Sequence, residues 1–353
     1  MVQSKGNIES KNFNEADIRY MRRALELAAL GRGFVSPNPM VGCVIVHEGR
    51  IIGEGWHRKY GEGHAEVNAI HSVEDESLLS EATCYVTLEP CAHHGKTPPC
   101  ADLLISKKVK RVVIAAFDSN PLVGGQGIER MKAAGIQVET GCLEQEALAQ
   151  NVRFFTLIEK KRPYIILKWA ETADGFVARG NFDSKWISNA YSRSMVHQWR
   201  AEEDAILVGR NTALYDNPTL NVRSWVGNDP LRILVDRKLQ LVDDLNLHKG
   251  DIPTLVFNYS KSEQSNNLEF IAIEPSNFME DLVLELGKRK VQSLIIEGGA
   301  ATLNAFIEQG LWDEAKVFSS RGNFGEGIKA PQLKGQLISE TDLMGDRLRV
   351  YQK

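Results

Sequence analysis

Two successive series of short apolar runs and amphipathic stretches constrain the fold of this chain more than any other feature. A short apolar run bounded by turn residues is typical of a buried strand, and apolar residues at helical spacing indicate a helix. The alternation predicts an α/β protein whose sheets are covered by helices. After a helix up to about residue 30, strands are predicted at 40–46, 51–55, 82–88 and 111–116, with helices at 64–72, 100–108 and 126–134. In the second series, strands are predicted at 164–169, 205–208, 231–235, 253–257, 292–296 and 315–318, with helices near 190–201, 279–288 and 300–309.

The boundary between the two series is marked by charge and proline. A helix-like stretch from Leu143 to Ile158 is followed by Lys160, Lys161, Arg162 and Pro163. Cations in a last helical turn followed by proline indicate a helix end. A length of 353 residues also suits about two domains. We therefore predict one domain over 1–158 and a second over 159–353.

Charge and composition exclude several classes of protein. The chain has 42 Lys and Arg against 46 Asp and Glu, which argues against a nucleic-acid-binding surface. No apolar run approaches the ~18 residues of a membrane span, and the polar start lacks a secretory signal. Five cysteines are too few, and odd in number, for a disulfide scaffold. We expect a cytoplasmic protein with free or metal-binding thiols.

One His and two Cys in the first half suggest a zinc site. His64 opens a helical pattern, Cys91 follows the strand at 82–88, and Cys100 begins another helix. Three such ligands leave a fourth position for water, which is typical of catalytic zinc. Glu66 can face the same site only in the first turn of its helix, where it would carry a proton from the activated water to a leaving ammonia.

The spacing of these residues leaves alternatives open. The zinc nucleobase deaminases have H-x-E together with P-C-x-x-C, whereas eight residues separate Cys91 from Cys100 here. A structural zinc site would need a fourth protein ligand, for which His57, His93 and His94 are available. A nucleoside or tRNA deaminase fused to an unrelated α/β module is a further alternative.

The block from Leu88 to Cys100, LEPCAHHGKTPPC, resembles the bifunctional riboflavin-biosynthesis deaminase-reductase family. The resemblance extends over PNPMVGCVIV at 37–46, GWH at 55–57, GHAE at 63–66 and DSNPLVGGQGI at 118–128. It implies a cytidine-deaminase-like three-layer domain in which His64, Cys91 and Cys100 hold Zn2+ and Glu66 is the proton shuttle. It also implies substrate contacts from Asn38, His57, His93, Lys96, Asp118 and Asn120.

The second half resembles the reductase domain of the same family, which has a dihydrofolate-reductase-like fold and uses NADPH. The resemblance rests on ILKWAETADG at 166–175, SKWIS at 184–188, VGRNT at 208–212 and DNPTLNVR at 216–223. The run IIEGGAATL at 295–303 is a strand, a glycine turn and a helix start, which suits a pyrophosphate. It lacks the full G-x-G-x-x-G spacing, so a dinucleotide-binding Rossmann domain is the poorer interpretation.

The resemblance implies two sets of residues in this domain. NADPH is expected against Ala170, Trp186, Thr212, Asp216, Gly299, Ala300, Ala301, Thr302, Leu303 and Asn304. The substrate is expected against Ser184, Arg200, Leu220, Arg223 and Glu297, with both arginines suited to a phosphate monoester. Two departures from the family pattern are Arg237, where many relatives carry Ser, and the stretch 319–325.

The sequence thus predicts an enzyme with two sites. A zinc-dependent deamination of 2,5-diamino-6-(5-phosphoribosylamino)pyrimidin-4(3H)-one would be followed by NADPH reduction of the ribosyl group, giving 5-amino-6-(5-phosphoribitylamino)uracil. The expected partners are this small phosphoribosyl pyrimidine and other copies of the chain in a homo-oligomer, with no nucleic acid and no membrane.

Overall fold

The computed structural model describes residues 13–92, 98–119, 124–184, 187–241 and 244–353. The chain forms two compact units, of which the first ends at Glu159 and the second begins at Lys160. Each unit is an α/β layer structure, which confirms the predicted fold class. Among the described residues, no helix has both the length and the apolar composition needed to cross a membrane.

The first unit is built from one mixed sheet and the helices around it. Its helices are α1 (Glu15–Ala29), α2 (Ala65–His71), α3 (Cys100–Ser106), α4 (Gln126–Ala133), α5 (Glu144–Gln150) and α6 (Val152–Lys160). Its strands are β1 (Gly42–His47), β2 (Arg50–Trp56), β3 (Thr83–Leu88), β4 (Arg111–Ala116) and β5 (Gln137–Thr140). The strand order is β2-β1-β3-β4-β5, with β1 antiparallel to β2 and β3, and with β3, β4 and β5 parallel.

Alternate residues of β1 face two different cores, which makes this unit three layers thick. Cys43 and Ile45 pack with α2, α3 and α4, whereas Val44 and Val46 pack with α1 and α6. A β-strand directs successive side chains to opposite faces, so a continuous apolar run requires helices on both sides. At Gly55, an added Cβ would lie 2.3 Å from the Ala69 nitrogen, so α2 rests directly on β2.

The predicted helix over 143–158 is wrong in one respect, because it is two helices. Asn151 interrupts it, and its side chain accepts the Met40 N–H and donates to the Met40 carbonyl, at 2.8 Å each. Asn151 is 3% exposed, so this pairing with a distant segment satisfies a buried amide at the break.

The second unit contains a long sheet with most of its strands parallel. The strands of the second unit, in the long sheet and outside it, are β6 (Tyr164–Glu171), β7 (Phe176–Ala178), β8 (Ala205–Gly209), β9 (Leu231–Val235), β10 (Thr254–Asn258), β11 (Glu263–Ser265), β12 (Leu268–Ala272), β13 (Ser293–Ile296), β14 (Glu314–Ser319), β15 (Ile328–Lys329), β16 (Gln336–Leu343) and β17 (Asp346–Gln352). Its helices are α7 (Ala190–Glu202), α8 (Arg210–Asp216), α9 (Phe278–Lys288) and α10 (Ala300–Glu308).

The order of this sheet is β11-β12-β10-β9-β8-β13-β6-β14-β17-β16. Strands β6, β8, β9, β10, β12, β13 and β14 are parallel, so their carboxyl ends meet at one edge. In open α/β sheets, ligands bind at that edge. The strands β16 and β17 form a terminal hairpin that the sequence analysis missed, because β16 is exposed along almost its whole length and carries no buried alternation.

Candidate active sites

The start of two helices and the end of one strand bring the first cluster together. His64 is the N-cap residue of α2, Cys100 is the first residue of α3, and Cys91 follows β3 by a short turn. The Cys100 N–H donates to the Cys91 Sγ at 3.4 Å. Because an α3 backbone group contacts the β3 turn, the two cysteines are held together by the fold itself.

The cluster has dimensions that suit zinc. The His64 Nδ1 lies 3.4 Å from the Cys100 Sγ and 3.7 Å from the Cys91 Sγ, and the three ligand atoms lie within 4.8 Å of one another. Tetrahedral zinc with bonds of about 2.0–2.3 Å requires ligand atoms roughly 3.3–3.8 Å apart. Among the described residues, no fourth His, Cys, Asp or Glu joins the group. The donor set therefore fits zinc with one position left for another ligand.

The protonation of the cluster is set by hydrogen bonds and burial. The hydrogen bond from Cys100, with a further contribution from His64, lowers the pKa of Cys91 to about 4, which gives the thiolate that zinc binds. Glu66 is 3% exposed, and its burial raises the pKa of its carboxyl group, as does the nearby Cys91. Glu66 also shares a hydrogen bond with Cys100, so its carboxyl group lies in the cluster.

Two of the predicted substrate residues lie beside these ligands. The His57 ring is 5.3 Å from the His64 ring, centroid to centroid. The Asn38 Nδ2 donates to His57 Nε2 at 3.1 Å, and His57 Nδ1 donates to the Gly63 carbonyl at 3.1 Å. A ring whose Nε2 accepts and whose Nδ1 donates is a neutral imidazole with neither nitrogen open to a metal, and burial lowers the pKa of His57 in the same direction.

The remaining substrate predictions of this unit divide into two groups. Asp118 is described and is 7% exposed. His93, Lys96 and Asn120 lie outside the described residues, as does His94.

A cavity of about 1090 Å³ at the carboxyl edge of the long sheet contains most of the residues predicted for the second site. The predicted residues that line it are Ala170, Ser184, Arg200, Thr212, Asp216, Leu220, Arg223, Glu297, Gly299, Ala300, Ala301, Thr302 and Leu303. Trp186 lies outside the described residues. Of the predicted residues that the structure describes, only Asn304 is not in the lining.

A buried carboxylate between two cations forms the floor of this cavity. The Arg200 guanidinium donates from Nε and Nη2 to the two Glu297 oxygens, at 2.9 Å each, and the Lys168 Nζ lies 3.7 Å from Glu297 Oε2. Burial acts to raise the pKa of Glu297, but the charges of Arg200 and Lys168 overcome it and lower the pKa to about 2. The Arg200 Nε and Nη2 groups, which were expected to bind a phosphate, therefore already bind Glu297. Arg223 is the more exposed of the two predicted arginines.

Lys168 is a residue of this site that the sequence analysis missed. It lies on β6 between Leu167 and Trp169, which are 0% and 6% exposed. Burial lowers the pKa of the Lys168 ammonium, an effect that Glu297 opposes. The signal in the sequence was a lysine inside an otherwise apolar strand, since such a charge is rarely buried without a partner or a function.

The wall made by β8, α8 and α10 fits the phosphates of a dinucleotide. The Gly299 N–H donates to the Thr212 Oγ1 at 2.8 Å, which ties the start of α10 to α8. An added Cβ on Gly209 would lie 2.1 Å from the Thr302 Oγ1, so the end of β8 contacts the first turn of α10. The N–H groups at the start of a helix are suited to bind anions, and α10 begins in this wall. At the opposite side, the Ser184 Oγ donates to Asp216 at 3.3 Å.

Comparison with known proteins gives the family. The cytidine and deoxycytidylate deaminase zinc-binding region matches residues 14–116, and the RibD C-terminal domain matches residues 163–344. The riboflavin biosynthesis protein RibD of Actinobacillus pleuropneumoniae is 41% identical over 94% of this chain and 88% of its own length. The chain belongs to the RibD family. RibD of Aquifex aeolicus is 40% identical over 93% of this chain and 94% of its own length.

Solved structures of RibD agree over the whole chain. The deaminase-reductase of Thermotoga maritima superposes with a TM-score of 0.88 at 36% identity, covering 96% of this chain and 98% of that one. RibD of Acinetobacter baumannii gives 0.88 at 35% identity with the same coverage. This RibD chain is therefore a bifunctional riboflavin-biosynthesis enzyme, with a zinc-dependent deaminase and an NADPH-dependent reductase. The match across both halves disfavours a nucleoside or tRNA deaminase fused to an unrelated module.

Proposed function

We propose that the chain deaminates 2,5-diamino-6-(5-phosphoribosylamino)pyrimidin-4(3H)-one and then reduces the ribosyl group of the product to give 5-amino-6-(5-phosphoribitylamino)uracil. The matching Thermotoga maritima protein bears the names of these two activities. The observation that carries the proposal is that a His-Cys-Cys cluster with a buried Glu occurs in the same chain as a dinucleotide-sized cavity. We assign deamination to residues 1–158 and reduction to residues 159–353.

In the deaminase, His64, Cys91 and Cys100 would hold zinc. When bound, zinc supplies an activated water by lowering its pKa toward ~7. Glu66 would accept a proton at its carboxylate and release it to the departing ammonia. The raised pKa of Glu66 suits this role, because a proton carrier works best when its pKa lies nearer to the working pH.

We propose that the pyrimidine and phosphoribosyl groups are bound by Asn38, His57 and Asp118, together with His93, Lys96 and Asn120. For Asn38 and His57 the support is proximity and hydrogen bonding, and for Asp118 it is burial. The Asn38–His57 pair presents a fixed amide beside the ligand cluster, and Asp118 is a buried carboxyl group on the loop after β4. Such groups suit the ring amide and the sugar hydroxyls of the substrate.

In the reductase, the bound cofactor supplies a hydride. Opening the ribosyl ring to a ribityl chain adds that hydride to carbon and a proton to the ring oxygen. We assign the proton to the Lys168 ammonium, since it lies at the buried floor of the cavity and its pKa is lowered by burial. Glu297 and Arg200 would orient Lys168, and the more exposed Arg223 would bind the substrate phosphate.

A second group of cations at the cavity suits the 2′-phosphate that distinguishes NADPH from NADH. Arg210 follows β8, and Arg237 and Lys238 follow the neighbouring parallel strand β9, where Gly209 pairs with Val235. The Arg237 guanidinium lies 5.0 Å above the Phe278 ring. In the part of the chain that the structure describes, neither Arg237 nor Lys238 forms an ion pair with a carboxylate. Replacing Arg237 with Gln should lower the preference for NADP+ over NAD+ in binding about tenfold, whereas Arg347→Gln on β17 should not change it.

We propose that the chain forms a homo-oligomer through the outer strand of its long sheet and functions in the cytoplasm. Strand β16 ends the sheet, and its Leu337 and Ile338 are 49% and 53% exposed. An exposed apolar edge strand is a ready template for pairing with a second copy. Light scattering on the purified chain should give a multiple of 39.4 kDa, and Ile338→Lys should reduce that mass.

A coupled assay tests the whole proposal. The purified chain is given zinc and the deaminase substrate while ammonia release is followed, and NADPH is then added while its absorbance is followed. We expect both signals, with NADPH oxidation dependent on prior deamination. Ammonia without NADPH oxidation would contradict the reductase assignment, and absence of ammonia would contradict the deaminase assignment.

A further inference from the structure

The carboxylate of Glu89 connects two segments of the deaminase that are distant in sequence. Glu89 follows β3 and lies two residues before Cys91, and it is 4% exposed. Its Oε2 accepts the Gly125 N–H at 3.0 Å, and its Oε1 accepts the N–H groups of Gly127 and Ile128 at 3.2 and 3.4 Å. The Asp118 N–H is a further donor to the same carboxylate.

These donors come from two places in the chain. Asp118 follows β4, whereas Gly125, Gly127 and Ile128 belong to the start of α4. The start of α4 also packs closely on the residue next to Cys91, because an added Cβ on Gly127 would lie 2.2 Å from the Pro90 carbonyl oxygen. One carboxylate therefore connects the Asp118 backbone and the start of α4 to the turn that carries Cys91.

A helix cap alone does not account for this arrangement. Helix α4 has Gly125 at its N-cap, with φ +85° and no side chain, so its first N–H groups find their acceptor in Glu89 instead. A nearby Ser or Asn would cap the helix without burying a carboxylate, which is costly unless it is fully hydrogen-bonded. The bond from Asp118 adds nothing to the cap, but it does fix the backbone of a residue assigned to the substrate.

We propose that Glu89 is a positioning residue of the deaminase, which sets the distance between Asp118 and the His64-Cys91-Cys100 cluster. This inference rests on the proposed role of Asp118 as a substrate contact. Glu89 touches neither the substrate nor the reacting atoms. Its effect is on the geometry in which substrate is bound.

The test is Glu89→Gln in the full-length chain, with steady-state deaminase kinetics, zinc content and the reductase reaction on its own substrate. Glutamine keeps the size but offers one acceptor oxygen instead of two. A hydrogen bond to a charged group contributes enough that we expect KM for deamination to rise about 10- to 100-fold, while kcat changes less than about threefold. Zinc content and both reductase constants should stay at the wild-type values.

Two further variants make the outcome decisive. Val113→Ala removes part of a fully buried β4 side chain in the core on the other face of the sheet, which does not include the start of α4, so it destabilises the same unit by a separate route. It should lower the unfolding temperature but leave KM unchanged. In the double variant Glu89→Gln/Asp118→Asn, KM should be close to that of Asp118→Asn alone, because both changes act through one contact.

Several results would overturn the proposal. An unchanged KM with a lower unfolding temperature would make Glu89 a purely structural residue, and loss of zinc would place its role in the Cys91 turn. Additive effects in the double variant would separate Glu89 from Asp118. If Glu89→Gln does not fold, Glu89→Asp gives the same KM comparison with the charge retained. A wild-type chain that releases no ammonia would instead contradict the proposed deaminase function itself.

Discussion

Glu66 in the deaminase site and Glu297 in the reductase site are both enclosed by the protein, and the two glutamates behave in opposite ways. Among the described residues, no Lys or Arg forms an ion pair with Glu66 in the deaminase, and burial raises the pKa of its carboxyl group. The Glu297 side chain in the reductase is only 8% exposed, yet Arg200 and Lys168 lower its pKa to about 2. Burial alone penalises the charged form, whereas two adjacent cations reverse the sign. The first environment favours a carboxyl group that exchanges protons, and the second favours a permanent anion that organises other groups.

The comparison predicts the largest effect for Glu66→Gln. The variant keeps the shape of the site but cannot carry a proton, so deamination should fall by about 10³-fold. Zinc content and the reductase reaction should be unchanged. Ammonia release and metal analysis measure this, with Glu62→Gln, an exposed glutamate on the same segment, as the matched control. Deamination that survives Glu66→Gln would mean that Glu66 does not carry the proton.

Glu297→Gln should have the next largest effect, about 10²-fold on the reductase kcat. Without the anion, the buried Lys168 and Arg200 repel each other, and the pKa of Lys168 falls further. The pH profile of reduction should therefore move to lower pH. Deamination is the internal control, and Glu340→Gln, in an ion pair at the surface, should change neither reaction. A profile that stays in place would show that Glu297 does not govern Lys168.

The lowered pKa of Glu297 also predicts how the stability of the fold depends on pH. The pKa of Glu297 is about 2 in the folded chain, below the ~4.3 of an unfolded glutamate. Its contribution, roughly 3 kcal/mol, is therefore fully present above about pH 4.3 and is lost as the pH falls toward about 2. Calorimetric unfolding of the wild type and Glu297→Gln should show a gap at pH 7 that narrows below about pH 4.3. A constant gap would contradict the assigned pKa.

The smallest predicted effect concerns the cofactor wall. Thr212→Val keeps the shape of the side chain but removes the acceptor of the Gly299 N–H. One net hydrogen bond of about 1 kcal/mol predicts roughly fivefold weaker binding of NADP+, measured by titration calorimetry. Thr341→Val on the exposed strand β16 serves as the control. Unchanged affinity would mean that the Gly298–Gly299 turn keeps its position without Thr212.

Much of the architecture could be predicted from the local sequence pattern, and the elements that were predicted wrongly or missed have identifiable physical causes. The central strands and longer helices follow from apolar runs with helical or strand periodicity, as at β4 and α7. The break at Asn151 could not be predicted, because it depends on the backbone of Met40 more than a hundred residues away. The hairpin of β16 and β17 was missed because an exposed strand lacks a buried face.

Some residues of the candidate sites could likewise be predicted from the sequence, and others could not. His64, Glu66, Cys91 and Cys100 form a recognisable spacing, and the structure brings their side chains together. Lys168 was overlooked because a single lysine in a strand has no motif. Arg200 was assigned to a phosphate, yet only the folded chain shows that Glu297 holds two of its donor groups.

The sequence by itself determined the class of chemistry, because residue type and spacing decide which atoms can hold a zinc ion and which turns can receive a pyrophosphate. It also determined the α/β alternation, since periodicity is a local property. Only the tertiary structure decided the opposite directions in which the pKa values of Glu66 and Glu297 are shifted, and the connection that Glu89 makes between Asp118 and the Cys91 turn. Those properties arise from burial and from neighbours that are remote in sequence, and a linear pattern carries neither.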